Sequence, residues 1–455
     1  MSRERVPNWV WLVLVAAHVL ALGWALRTQA WRFPDSDRYQ QAAENLRMYG
    51  ELYARPWPAR APRGQAVQEF TIRPPGYPLV VLALAGRGPR PLGLLLLQDV
   101  LSLLNLAAVL GWWGRRARPT PRQWAGALAL LLTFPGQLIY ANALMSELLL
   151  QTAVLALVGA GLRFIQTGHT RWFGLSGVAV TAALLLKPVF YPLVFVTLAV
   201  GGLAAWRMRR PWLGALAAAP ALVAALYMGW NWERTGYFHF SSIAEINLLH
   251  YNAAGVVRQA QGAPAEAQWV AAVLRQADAQ PTFAARQQLI RTRATAVLRA
   301  HPGRYAGQHT AGMVTFFLDP GRFDIGQFLH VAPPSGGGLL AQSRAGGLAR
   351  ALGQLPGWLL ALLALVGLAN AVRLGLAVRG FGRLKRGGAS LRYGRWLAAG
   401  LIGYVALLTG PLGAARFLVP VWPLLLALAL EGWVPGQPPE ASGADDAPPV
   451  GENQR

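Results

Sequence analysis

The chain has 455 residues, enough for about three soluble domains of roughly 150 residues each. Hydrophobic residues make up 54% and charged residues only 13%, about half the charge that clothes a soluble domain. A purely soluble fold does not fit, and disorder is excluded because so much apolar surface is available to bury. There is no cysteine, which rules out disulfides, zinc–thiolate sites, iron–sulfur clusters and a thiol nucleophile. The net charge is +23, and Lys187 and Lys385 are the two lysines among 42 basic residues. Such an imbalance suits nucleic acid, anionic lipid or an anionic substrate, and its placement along the chain decides between them.

A bilayer-crossing helix needs about 20 mostly apolar residues, because hydrocarbon offers backbone groups no partner. Ten stretches are candidates: residues 9–26, 92–113, 124–140, 144–162, 172–186, 189–206, 212–232, 355–372, 396–411 and 417–433. The sequence therefore predicts an all-α polytopic membrane protein of about ten transmembrane helices. The first run is longer than the ~7–15 residues of a signal-peptide core and is followed by no clear small-x-small site, so a retained anchor is expected. With the N-terminus inside, the short cytoplasmic segments hold 18 cations against a single acid, Glu4. Short loops set topology, so both termini are expected in the cytoplasm. Topology thus accounts for most of the charge, and no nucleic-acid partner is needed.

Four modules follow. Residues 1–232 form an N-terminal membrane module of about seven spans, interrupted by a large outer loop at 27–91. Residues 233–354 form a second, mostly helical outer loop, residues 355–433 form three further spans, and residues 434–455 read as a disordered cytoplasmic tail. No internal repeat is visible.

The first outer loop opens with Phe33-Pro34-Asp35-Ser36-Asp37-Arg38-Tyr39. Tyr39, Ala42, Ala43 and Leu46 recur at helical spacing, and Gly50 supplies a stop, which predicts a short amphipathic helix at the membrane surface. Asp37 with Gln40 resembles a capping box, leaving Asp35 free just outside the helix. Alternatively the helix begins at Asp35, and Asp35 and Tyr39 share one face. The loop closes with Arg73-Pro74-Pro75-Gly76-Tyr77-Pro78. Its prolines hold the backbone extended and fix Arg73 at headgroup level. A guanidinium there can grip a phosphate through paired hydrogen bonds, although a merely snorkelling arginine would occupy the same level.

This order of features resembles the GT-C integral-membrane glycosyltransferases. The acidic Asp35-x-x-x-Tyr39, the Arg73-Pro74-Pro75-x-Tyr77-Pro78 motif, Ser146-Glu147, Lys187-Pro188 and Arg416-Phe417-x-x-Pro420-x-x-Pro423 carry the likeness. It is strongest to the branch holding the aminoarabinose and protein O-mannosyl transferases. It covers most of residues 1–232 and the final spans; the second outer loop matches only loosely, around residues 301–305.

The resemblance implies a GT-C-like fold that moves a sugar from a polyprenyl-phosphate donor to an acceptor on the outer face, usually with inversion. The acceptor would be an envelope lipid, glycan or protein. Asp35 matches the family's acidic position and suits a general base. Arg73 matches the basic residue near the lipid phosphate, where electrostatic stabilisation of the leaving group acts. Lys187 and Arg416 fall on the same outer face and would complete a cationic pocket, or serve as ordinary interfacial anchors. Asp37, Tyr39, Tyr77 and Glu147 take supporting or acceptor-side roles, with Glu147 orienting the first outer loop or the acceptor.

No metal site is indicated, since the seven histidines form no HxxxH or HExxH pattern. No cofactor is required, although some relatives use a divalent ion, for which Asp35, Asp37 or Glu69 could supply ligands. Asp99 and His18, within spans, are expected to make polar contacts between helices. The competing reading is a transporter or flippase of a lipid-linked saccharide, which would place its charges near mid-bilayer on broken or repeated helices. A ligase or polymerase of lipid-linked glycans would keep its signature in a large later loop, and none stands out there.

Overall fold

The computed structural model describes residues 6–85, 90–331, 353 and 355–433. The expected tail at 434–455, much of 332–354 and the N-terminal Arg3, Glu4 and Arg5 lie outside the described residues. Among the described residues the chain is helical throughout, with no strand. Eight segments among the described residues are long and apolar enough to cross a membrane: Asn8–Thr28, Leu92–Ala117, Glu147–Thr167, Pro188–Arg207, Trp212–Thr235, Gly357–Arg386, Ala389–Leu412 and Ala415–Trp433. The chain is an integral membrane protein.

The other two expected spans are shorter. Thr170–Leu186 is a 17-residue apolar helix, and the stretch expected at 124–140 is two helices, Pro121–Leu132 and Gly136–Ala141, broken at Phe134-Pro135. Proline cannot donate to the preceding turn, and its ring crowds it. The irregular backbone that follows is held by protein rather than lipid, as such depth requires. Gln98 Nε2 donates to the carbonyls of Ala143 at 2.7 Å and Ala141 at 3.2 Å, and Leu144 N–H donates to Trp31 O at 2.9 Å. Asn142 Nδ2 donates to Asp99 Oδ1 at 3.1 Å, which makes Asp99 the interhelical contact expected of it. His18 likewise reaches Ser102 Oγ at 2.8 Å and Leu14 O at 2.7 Å.

The last span lies at the centre. Its apolar window in Ala415–Trp433 is 83% buried, against 22–44% in the other seven. Two arginines counted as cytoplasmic loop charges are in fact buried. Arg373 lies inside the Gly357–Arg383 helix and donates to Leu130 O at 2.8 Å and Thr133 Oγ1 at 2.9 Å. Arg395 donates to Phe381 O at 3.1 Å. Backbone carbonyls and ring faces solvate both guanidiniums in place of water.

The first outer loop contributes the helix Ser36–Tyr49, a 3-10 turn at Gly64–Phe70 and the helix Gly76–Leu84. As its spacing predicts, Ser36–Tyr49 buries Tyr39, Ala42 and Ala43. The second outer loop is helical from Ile243 to Phe328 with short breaks. It has its own small core of Leu249, Val273, Ala277 and Ile290. Within it the helix Pro302–Leu318 packs against the Gly410–Leu412 and Ala415–Phe417 turns.

Candidate functional site

Asp35 is the N-cap of Ser36–Tyr49, but its side chain makes no capping bond. The capping-box alternative at Asp37 is therefore not realised. Ser36 does the local work instead: its Oγ accepts from Phe33 N–H at 2.9 Å and donates to Leu144 O at 3.0 Å. The Asp35 carboxylate is left to face other charges. Arg73 Nη2 donates to its Oδ1 at 2.5 Å, and Arg416 Nη1 to its Oδ2 at 3.4 Å.

Each cation is aimed by its neighbours. Arg73 precedes two prolines, and the helix after it begins at Gly76. A Cβ at Gly76 would lie 2.7 Å from Leu185 O, so the absence of a side chain lets the Arg73 segment sit against the end of Thr170–Leu186. That same end carries Lys187, whose extended backbone, φ −145° and ψ 131°, is what the following Pro188 demands. Gly76→Val is expected to separate the two segments, lowering the thermal midpoint by several degrees; an unchanged melting curve would contradict this packing role.

Around Asp35 the guanidinium of Arg73 lies over the Tyr39 ring at 5.0 Å, and Tyr39 meets Tyr77 edge-on at 4.7 Å. Tyr77 OH donates to Gln98 Oε1 at 2.8 Å, tying the loop to the second span. Lys187 Nζ donates to Glu147 Oε1 at 2.5 Å, and Glu147 Oε2 is buried without a partner. Breaking such a buried pair by removing one partner strands a charge and costs about 3–5 kcal/mol. Glu147→Ala should therefore destabilise strongly, while Glu147→Leu with Lys187→Met should recover most of the loss, as read by thermal unfolding in detergent.

These groups border one cavity of about 600 Å³, within the range of ligand sites. Among the described residues Asp35 is the one acid in its wall, against the cations Arg38, Arg73, Lys187, Arg286 and Arg416. Burial pushes the Asp35 carboxyl up, but the charges of Arg73 and Arg416, then Lys187 and Arg38, outweigh it and bring it down to about 2. Pro188, Val189, Pro192, Leu408 and Leu412 make an apolar side toward two spans.

Of the expected site residues, Asp35, Arg73, Lys187, Arg416 and Tyr39 line the cavity. Tyr77 and Glu147 stand behind them as supports. Asp37 is exposed, makes no ion pair among the described residues and does not line it. Its charge lies in the first turn of the helix, where the backbone dipole favours an acid.

Glu69, considered as a metal ligand, is paired to Arg38 at 3.4 Å and Arg55 at 3.2 Å, and Asp35 is held by two guanidiniums. No group of three metal-ligating side chains gathers among the described residues. These carboxylates do not fit a shared divalent ion, and no step is routed through one.

The outer wall is not legible in the linear pattern. It comes from the π-helical turn Leu248–Ala253, from Gln68 and from Arg286. Gln68 is 4% exposed, and among the described residues its side chain makes no hydrogen bond. Arg286, paired through Nε to Asp278 at 2.8 Å, keeps a buried Nη1 with no partner.

Two solved structures compare with most of the chain. This chain is similar to ArnT. The crystal structures of ArnT from Cupriavidus metallidurans, in the apo state and bound to undecaprenyl phosphate, are each 15% identical to it, with a TM-score of 0.36. The match covers 94% of this chain and 77% and 78% of the respective ArnT chains. No protein-family model matches, and no curated protein does either.

Proposed function

We propose that this protein is a membrane glycosyltransferase that moves a sugar from a polyprenyl-phosphate donor to an acceptor on the extracytoplasmic face, with inversion. The observation that carries this reading is the convergence of Asp35, Arg73 and Arg416 in one cavity, at 2.5 and 3.4 Å. An apolar side toward the spans suits a lipid chain, and the cationic middle suits its phosphate.

In this reading the acceptor hydroxyl or amine attacks the anomeric carbon, and its proton passes to an Asp35 carboxylate oxygen. The bond from that carbon to the phosphate oxygen breaks, and the electron pair leaves with the polyprenyl phosphate. Arg73 and Arg416 take up the growing charge, and Lys187 adds a third cation. A carboxyl held at about 2 is a weak proton acceptor, since catalytic bases work best near the operating pH. Donor binding resolves this: the phosphate draws the two guanidiniums from Asp35, and the carboxylate becomes more basic. Gln68 and Arg286, with unpartnered polar atoms in the outer wall, are the acceptor-side groups. The N-in, C-in topology would put this cavity on the extracytoplasmic side.

The broken segment at Phe134-Pro135 is the feature that favours a transporter. It carries no acid or base between Trp124 and Ser146, so it offers no charged transport site. Purified protein in lipid nanodiscs, given a polyprenyl-phosphate sugar and an envelope extract, should release free polyprenyl phosphate. Access to the site from alternating sides without such release would establish transport instead. Mass spectrometry of envelope lipids and glycans from cells with and without the protein would then name sugar and acceptor.

A further inference from the structure

We propose that Asp319 is the positioning residue for Arg416, fixing the turn from which that guanidinium reaches Asp35 and the donor phosphate. The proposal deepens the reading above and rests on it for the phosphate.

Arg416 stands on a single 3-10 turn, Ala415–Phe417. So short an element closes few bonds of its own, and the N–H groups at its start need outside acceptors. Asp319 supplies one: its Oδ2 accepts the Ala415 N–H at 3.0 Å, while its Oδ1 accepts the Gly321 N–H at 3.1 Å. The carboxylate is 9% exposed. Placing a carboxylate there is costly unless its oxygens are engaged, and both are spent on backbone.

Asp319 is itself anchored. Asn370 Nδ2 donates to its carbonyl oxygen at 3.0 Å, and Asn370 is gripped in turn by the buried Arg373. The chain Arg373, Asn370, Asp319, Ala415 thus runs from the bundle core to the residue beside Arg416. On the near side Tyr140 OH donates to Asp324 Oδ1 at 2.8 Å. Asp319, Asp324 and Ala415 together border a void of only about 10 Å³, so the turn has almost no room to shift.

Misplacing a reacting group by about 1 Å can cost on the order of a hundredfold. Asp319→Ala should therefore lower kcat/KM for the lipid-phosphate donor by about ten- to a hundredfold. In an Arg416→Ala background the same substitution should cost less than about twofold, because a residue acting through Arg416 has nothing left to position. Wild-type kcat/KM in Asp319→Ala, or a loss that adds in full to that of Arg416→Ala, would overturn the proposal. If the alanine variant fails to fold, Asp319→Asn carries the same comparison, since it keeps the volume and one of the two acceptors.

A second readout needs no donor. The chain has no cysteine, so Arg416→Cys introduces a single thiol. Its labelling rate by a methanethiosulfonate reagent should rise severalfold when Asp319→Ala is added. An unchanged rate overturns the positioning role whatever the donor. A raised rate, with no release of polyprenyl phosphate by the wild-type protein, upholds positioning and rejects the transferase reading.

Discussion

Asp35→Asn is expected to abolish sugar transfer while the protein still inserts and folds. The substitution preserves shape but removes the proton acceptor, a contribution of about 10²–10⁴ in rate. Its effect on binding should have the opposite sign. In the resting protein the carboxylate occupies both guanidiniums, at 2.5 and 3.4 Å, and so competes with any incoming phosphate. The amide competes less, and polyprenyl phosphate should bind Asp35→Asn at least as tightly as wild type. Titrating the short-chain lipid phosphate into both proteins, alongside turnover, checks the pair of effects; unchanged turnover in the variant would dispose of the mechanism. Acid should matter little to the resting cluster. The folded value of about 2 lies below the ordinary 3.8, so the stability it contributes is complete well above that ordinary value and is lost progressively as pH falls from there through about 2.

Arg73→Ala should weaken donor turnover by about 10²–10³, with loss in both binding and kcat. Arg73 makes the shorter contact with Asp35 and is the less exposed of its two guanidinium partners, 13% against 28%. Arg416→Ala should therefore be milder. Arg73→Lys keeps the charge but loses the planar fork and the stacking on Tyr39, and should recover only part of the activity. Steady-state kinetics of the three variants orders them, and a donor turnover by Arg73→Ala equal to wild type would remove the phosphate clamp.

The polar core of the site was legible because its residues carry local marks. Arg73 and Lys187 each precede proline, Asp35 opens an amphipathic helix, and Arg416 begins an apolar run on the same side. Such marks constrain backbone and depth, which is what a sequence records well. The outer wall depends on packing between distant elements and leaves no periodic trace. Asp319 reads as an ordinary turn residue before Pro320-Gly321; its use lies in a contact 96 residues away. Arg373 reads as a loop cation because hydropathy ends the span before it, whereas Leu130, Thr133 and the Trp422 ring receive it inside the bundle. The break at Phe134-Pro135 hid for the converse reason: the residues around it are apolar enough to pass for one continuous span.

Among the described spans, the one most enclosed by the rest of the protein is also made after the other seven, and it brings Arg416 to an aspartate 381 positions upstream. While ribosomes are still making the chain, Asp35 and Arg73 can meet, but their second guanidinium has not yet emerged. In the proposed reaction both guanidiniums must be in place, so a chain halted before that helix would lodge in the bilayer without a complete phosphate site.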